Sequence, residues 1–267
     1  MVQYYSVDAK PGYTSETLDR LKQKSQSSQK EILCSLIADE MAIRQQRIWC
    51  RGRYIGVVDM GLGDATDTDP IAHQVYVLLL VSLNESWKIP LAYFFIAGLK
   101  AEMKANIINI ALAKCHAVGV KVVSLTFDGC RSNLLTMKLL GCNIDNIDDF
   151  KTCFKHPVSE QNVTVFLDPC HVVKLMRNTL ESKSCITDNE KKVIKWKFLC
   201  DLNNLQHKIA LNLANKLTNG HVEFKNEIMK VKLATQLMSR SVAKAIQFCQ
   251  ELKLPAFDNS DATIKFL

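Results

Sequence analysis

Val120-Lys121-Val122-Val123-Ser124-Leu125-Thr126-Phe127-Asp128-Gly129 reads as a buried β-strand that runs straight into an acid and a turn residue. Ile32-Leu33-Cys34-Ser35-Leu36-Ile37-Ala38-Asp39 has the same build. A carboxylate at the end of a buried strand carries a desolvation cost, which a cation or hydrogen-bond donors can offset. Two such carboxylates point to a shared metal. Blander readings fit the same residues: Asp128 with Gly129 forms a turn, or Asp39 caps whatever follows. Asp59 also ends a strand-like run, Val57-Val58-Asp59-Met60-Gly61, and periodicity does not separate it from Asp39.

Around these two runs the elements follow in a telling order. Tyr54-Ile55-Gly56-Val57-Val58-Asp59 reads as a strand, 61–70 as an acidic flexible loop, and 74–81 with 89–96 as a hairpin turned at 84–88. Apolar residues Met103, Ile107, Ile110, Ala111 and Cys115 recur at helical spacing over 100–118, and Gly119 stands where a helix C-terminus favours glycine. Ser132 would cap a short helix that stops at Gly141, and Val163-Thr164-Val165-Phe166-Leu167-Asp168 is a further strand. Antiparallel strands followed by helix, strand, helix and strand match a ribonuclease H-like mixed sheet, an α/β fold in which the first strand lies beside the one after the first helix. In that geometry Asp39 and Asp128 face each other and make one metal site.

Residues 1–30 are polar and turn-rich and read as a lead-in that adds little core. The catalytic-type core is expected over 31–180, and an all-helical domain over 181–267, with helices at 188–201 (capped by Asp188), 203–217 and 222–252 and a break at Gly220. With 267 residues, 48% of them hydrophobic, the chain buries a substantial core. Its 34 Lys and Arg against 27 Asp and Glu give +7, which suits an anionic partner without demanding one. The ten cysteines show no CxxC pair or disulfide framework and read as reduced, mostly buried thiols. No signal peptide is apparent at the N-terminus, and Asn84, Glu85, Lys88 and Pro90 interrupt the apolar region 75–97 before a membrane-spanning length. These features predict a soluble, intracellular protein.

Magnesium takes oxygen ligands, and two magnesium ions about 4 Å apart can activate a water and stabilise the leaving oxygen of a phosphodiester. Asp39 and Asp128 would supply two of the acids such a site needs. Asp168-Pro169-Cys170-His171 would suit zinc only with a second pair of soft ligands, so His171 reads more simply as a core or polar-network histidine. Lys174, Arg177 and Lys183 on the next helix either meet phosphate or form a solvated face. The absence of a Walker-type glycine loop and of a G-x-S-x-G elbow takes weight from P-loop ATPases and α/β hydrolases.

Five motifs occur in one order: Leu36-Ile37-Ala38-Asp39-Glu40-Met41, Trp87-Lys88-Ile89-Pro90, Val123-Ser124-Leu125-Thr126-Phe127-Asp128-Gly129, Asp168-Pro169-Cys170-His171-Val172-Val173-Lys174-Leu175-Met176-Arg177-Asn178 and Lys230-Val231-Lys232-Leu233-Ala234-Thr235-Gln236. Together they resemble the P-element transposase family and its THAP-domain-containing relatives. The resemblance implies a nuclear cut-and-paste DNA transposase with a ribonuclease H-like catalytic domain, two Mg2+ ions, and a helical insertion that binds GTP. It puts the first catalytic and metal-binding aspartate on Asp39 and not Asp59, and the second on Asp128. It makes Asp168 and Lys174 candidates for the nucleotide. The family's third acid, a glutamate on a helix after the insertion, lies beyond Leu267, and neither the zinc-binding THAP domain nor the dimerising coiled coil is in the sequence. The expectation is therefore a partial transposase that binds magnesium weakly and does not cleave DNA, with a non-catalytic DNA- or protein-binding module as the alternative.

Overall fold

The apolar run that begins at Ile32 becomes the middle strand of a seven-stranded sheet, and none of its residues is exposed until Asp39. The computed structural model describes residues 10–50, 52–63, 65–146 and 148–267, which divide into two units, Met1–Asp168 and Pro169–Leu267. The first unit holds β1 (Gly12–Tyr13), α1 (Ser15–Ser27), β2 (Ile32–Ala42), β3 (Ile48–Cys50), β4 (Arg53–Ile55), β5 (Gln74–Ser82), β6 (Lys88–Ile96), α2 (Ala101–Ala117), β7 (Val120–Phe127), α3 (Arg131–Leu140), β8 (Cys153–Lys155) and β9 (Asn162–Leu167). The sheet order is β1-β6-β5-β2-β7-β9-β8. β2 pairs antiparallel with β5 and parallel with β7, and β7 pairs parallel with β9. The meander followed by parallel strands is the mixed sheet that the sequence predicts, with the first long strand beside the one after α2.

One irregularity sets the alignment of the two acidic strands. Up to Cys34 the pairing offset from β2 to β7 is 88 residues (Cys34 with Val122), and from Ser35 it is 89 (Ser35 with Ser124). Val123 is thus an extra residue, a bulge in a parallel pair. Strand side chains alternate faces, so a slip of one residue exchanges the faces of everything that follows.

The helices cover the sheet with a stripe that differs from the expected one. Ile107, Ile108, Ala111, Leu112 and Cys115 of α2 are buried, whereas Met103 and Ile110 are exposed and Lys104 takes the inward position. Gly119 follows α2 with φ +80, and a side-chain carbon there would come within 2.5 Å of Ser25 Oγ, which itself donates to the Gly119 carbonyl at 2.8 Å. That close approach ties α1 to the start of β7. Residues 10–30 are therefore part of the core and not a loose lead-in: Leu21 of α1 is completely buried in the same cluster as Leu36, Leu78 and Leu112.

The second unit holds α4 (Pro169–Lys183), β10 (Cys185–Thr187), β11 (Val193–Lys195), α5 (Lys197–Ile209), α6 (Asn219–Val222), a 3-10 turn at Lys225–Glu227, α7 (Val231–Leu237), α8 (Arg240–Glu251) and α9 (Asp261–Phe266). It is mainly helical, but the hairpin β10–β11 corrects the expectation of helices alone. Asp188 does not cap a helix. Its Oδ1 accepts from the Glu190 and Lys192 amides at 2.9 and 2.8 Å and closes the hairpin turn. The helix expected over 203–217 ends at Ile209, where Ala210 turns left-handed (φ +52), and the one expected over 222–252 is instead the end of α6, the 3-10 turn, and α7 and α8 parted at Met238 and Ser239. Gly220 lies inside α6 and is not a break.

The strand expected at 54–59 is only β4 plus bridges at Val57 and Asp59. The cysteines are not mostly buried: Cys34, Cys115, Cys142 and Cys249 are buried, and Cys50, Cys130, Cys170 and Cys185 are exposed. Burial pushes the Cys34 and Cys115 thiols up to about 12 and Cys142 up to about 11, so these three are structural and not nucleophiles. Among the described residues no helix is long and apolar enough to cross a membrane.

If α1 belongs to the core, Leu21→Ala leaves a cavity and costs about 2–5 kcal/mol. Urea unfolding followed by circular dichroism measures it. A loss below about 0.5 kcal/mol, the level of an ordinary surface substitution, would return residues 10–30 to the status of a lead-in.

Candidate functional site

Beyond the bulge the register runs Ile37 with Thr126 and Thr126 with Phe166. Continued by two residues, it sets Asp39, Asp128 and Asp168 level with one another at the ends of β2, β7 and β9. Neighbouring strands stand about 4.8 Å apart, and residues level in a parallel pair share a face. The Asp168 amide donates to the Phe127 carbonyl at 2.9 Å, which carries the β7–β9 pairing to this point. Had the offset of 88 persisted, Asp39 would lie level with Phe127, a core residue.

Asp39 is exposed, and its Oδ1 accepts from the Glu40 amide at 2.9 Å. Asp128 is half-buried, and its Oδ1 accepts from the Cys130 amide at 3.0 Å and from Asn133 Nδ2 at 2.8 Å. Asp59 is elsewhere. It bridges Phe95 of β6, which pairs with Val75 of β5, which pairs with Met41 of β2, so three inter-strand steps of about 4.8 Å separate it from β2. The Asp59 carboxylate accepts from the Gly61 amide at 2.8 Å and closes a turn.

Behind Asp128 lies a charged network that periodicity cannot reveal. Lys104 is 1% exposed, and its Nζ lies 2.5 Å from Glu40 Oε1, 2.7 Å from Ser132 Oγ and 3.0 Å from Asn133 Oδ1. An ammonium has three N–H donors and no acceptor; two of them go to Ser132 and Asn133, and the Glu40 contact is an ion pair in which Oε1 accepts no hydrogen bond among the described residues. Because Lys104 can only donate, it draws the amide oxygen of Asn133 to itself and turns the Asn133 NH2 toward Asp128. Ser132 serves this network and is not the helix cap; that position is held by Cys130. Burial, and then the Glu40 carboxylate, push the Tyr76 phenol well above its ordinary range, so the ring beside Lys104 stays neutral.

In the second unit Lys174 and Arg177 are buried and Lys183 is exposed, so the first two are not a solvated face. The Arg177 guanidinium lies 3.8 Å over Phe224, donates from Nε to Asn178 Oδ1 at 3.0 Å and from Nη2 to the Ile228 carbonyl at 2.7 Å, and leaves Nη1 unpartnered among the described residues. Its burial lowers its pKa. Asp168 closes β9 directly ahead of α4, the helix that carries Lys174. Among the described residues no group of three or more His, Cys, Asp and Glu side chains is close enough to hold a metal ion. The pair Asp39 and Asp128 has the right donor chemistry for a hard cation, which takes carboxylates together with water and substrate phosphate oxygens.

Two family models match consecutive parts of the chain: a TNP-like, RNase H N-terminal domain over residues 9–141 and a TNP-like, GTP-binding insertion domain over 170–267. The chain is 32% identical to the human DNA transposase THAP9 over 263 residues, which is 96% of this chain and 29% of that protein. It is 32% identical to the Drosophila melanogaster transposable element P transposase over 191 residues, 71% of this chain and 24% of that protein. It is also similar to the solved Drosophila P element transposase strand transfer complex, with a TM-score of 0.79 at 27% identity, over 97% of this chain and 54% of that one. The chain thus spans less than a third of the length of these curated relatives. The mixed sheet is of the ribonuclease H type, as expected.

Removing one partner of a buried ion pair strands the other charge. Lys104→Met is expected to cost about 2–4 kcal/mol, while Lys104→Met combined with Glu40→Gln recovers most of that loss. Chemical unfolding of Lys104→Met, Glu40→Gln and the double variant closes the cycle. Additive losses would mean that Lys104 and Glu40 do not act as a pair.

Proposed function

Because the chain belongs to the P-element-type transposase family, we propose that it supplies the first two carboxylates of a metal-dependent centre for DNA cleavage and strand transfer, together with a guanine-nucleotide-binding insertion. The observation that carries this reading is the bulged β2–β7 register, which brings Asp39 and Asp128 level on one face. Magnesium held there would activate the attacking oxygen and neutralise charge on the scissile phosphate. Asp39 offers its carboxylate from the solvent side, and Asp128 is oriented by the Asn133 amide, itself turned by Lys104. Two acids are an incomplete set for two ions, so a further carboxylate would complete the centre and magnesium would bind these two alone weakly. DNA is the substrate in this reading, and the nucleus is where it would be met.

For the nucleotide, the matched insertion-domain model and the basic face of α4 support GTP bound with Lys174 near its phosphates. Arg177, one turn further along the same face, has an unused donor of the kind a phosphate accepts. Asp168 ends the strand ahead of that helix in sequence, level with Asp128.

Thermal melts in magnesium and in GTP test both halves together. Magnesium is expected to raise the melting temperature modestly, and Asp39→Asn and Asp128→Asn abolish that rise without changing the response to GTP. Lys174→Met removes the GTP response and leaves the magnesium response. Indifference of the melt and of DNA affinity to magnesium and to both aspartate substitutions would replace the metal reading with that of a non-catalytic DNA- or protein-binding module.

A further inference from the structure

We propose that the two-stranded hairpin β3–β4 is a DNA-contacting arm that holds a strand beside Asp39, a step that rests on DNA being the substrate. Between Glu40 and Asp59 the sequence has no acid and four arginines, Arg44, Arg47, Arg51 and Arg53. This is the most one-sided run of charge beside the aspartate strands. The hairpin forms its own sheet apart from the seven-stranded one, with Trp49 opposite Tyr54 and Cys50 opposite Arg53. Arg44, Arg47 and Arg53 are all exposed.

Apolar and aromatic side chains on this arm face water. Trp49 is 61% exposed, and Ile48 and Ile55 are exposed as well. Trp49 and Tyr54 meet edge to face, centroids 4.7 Å apart, which fixes both rings without stacking them on each other. Arginines that meet phosphates beside a rigid indole that takes a base face are the elements with which proteins grip nucleic acid strands. A membrane surface would ask for a broader apolar face, and an acidic peptide would make no use of a held indole.

Position and stiffness point the same way. β2 continues three residues past Asp39 to Ala42, about 10 Å at strand rise, and Ile43 still bonds the His73 carbonyl at 3.0 Å before the chain leaves the sheet. The arm is therefore rooted at the sheet end that carries the aspartates. Its base is pinned in three places. Gly56, with φ +83, packs so closely on the Gln46 carbonyl that a side-chain carbon would lie 1.8 Å from the oxygen. The Ala72 amide donates to the Gly56 carbonyl at 2.9 Å. Arg47 Nη2 donates to the Asp69 carbonyl at 2.7 Å, in a loop where Thr66 donates backbone and side-chain hydrogen bonds to the Asp69 carboxylate. A stiff arm loses little freedom when a strand binds.

The test is a titration of a short single-stranded DNA oligonucleotide, and of the same sequence as a duplex, onto the full chain in EDTA. Anisotropy of the labelled DNA and tryptophan emission are followed over a salt series. Trp49→Ala is expected to weaken single-strand binding roughly fivefold to a hundredfold, the range of one lost base stack, and Trp49→Phe to keep most of it. Arg44→Ser with Arg53→Ser is expected to lower the slope of log affinity against log salt by about 1.4 on the single strand. Melting temperatures are expected to stay at the wild-type value, since these side chains are exposed. The same effects should persist in Asp39→Asn/Asp128→Asn, so a failure of the metal reading leaves them standing. The proposal is overturned if wild type binds neither DNA, if the variants bind as wild type does, or if RNA or polyglutamate of equal length binds as tightly as DNA.

Discussion

One extra residue in a parallel strand pair decides which side chain of β7 stands level with Asp39. The bulge at Val123 changes the β2–β7 offset from 88 to 89 residues, and only the second offset brings an acid, not Phe127, level with Asp39. The main-chain hydrogen bonds that hold β2 between β5 and β7 fix that alignment, so the relation between two side chains 89 positions apart follows from backbone pairing. Leu36 and Leu125, both completely buried, lock it, because a slip would turn them to the other face.

The interior behind the acids holds a buried charge, which is met by an ion pair and two hydrogen bonds. A buried lysine is costly unless its charge is met, and Lys104 meets Glu40, Ser132 and Asn133 at once. The network joins the strand of Asp39 to the helix that follows Asp128, so whatever holds the sheet and the helices in place also aims the Asn133 amide. Metal ligands are usually oriented by such outer partners. The arm formed by β3 and β4 leaves the same strand a few residues later, so a single strand ties acid, network and arm together.

Much of this was legible in the sequence. The runs at 32–39 and 120–128, the hairpin 74–96 and the helix 100–118 each have a period or a length that only one element satisfies. Three kinds of feature were not legible. The Val123 bulge is invisible because a bulged strand keeps its composition. Lys104 reads as a polar residue on a helix, and only the fold brings Glu40 to it from 64 positions away. In the second unit the three-residue strands β10 and β11 are shorter than any alternation can reveal, and Asp188, a good helix cap by type, closes their turn instead. Residues 1–30 read as a lead-in because the polar residues around Leu21 mask its burial in the core.

Asp39 and Asp128 converging on one divalent cation is the centre of the account. Anomalous diffraction from crystals soaked in manganese, a hard cation of the same ligand preference as magnesium, tests it most directly. A peak between the carboxylates of Asp39 and Asp128, absent from the Asp128→Asn protein, is the predicted result. Carboxylates of these two residues on opposite faces of the sheet, or manganese bound only elsewhere, would contradict it.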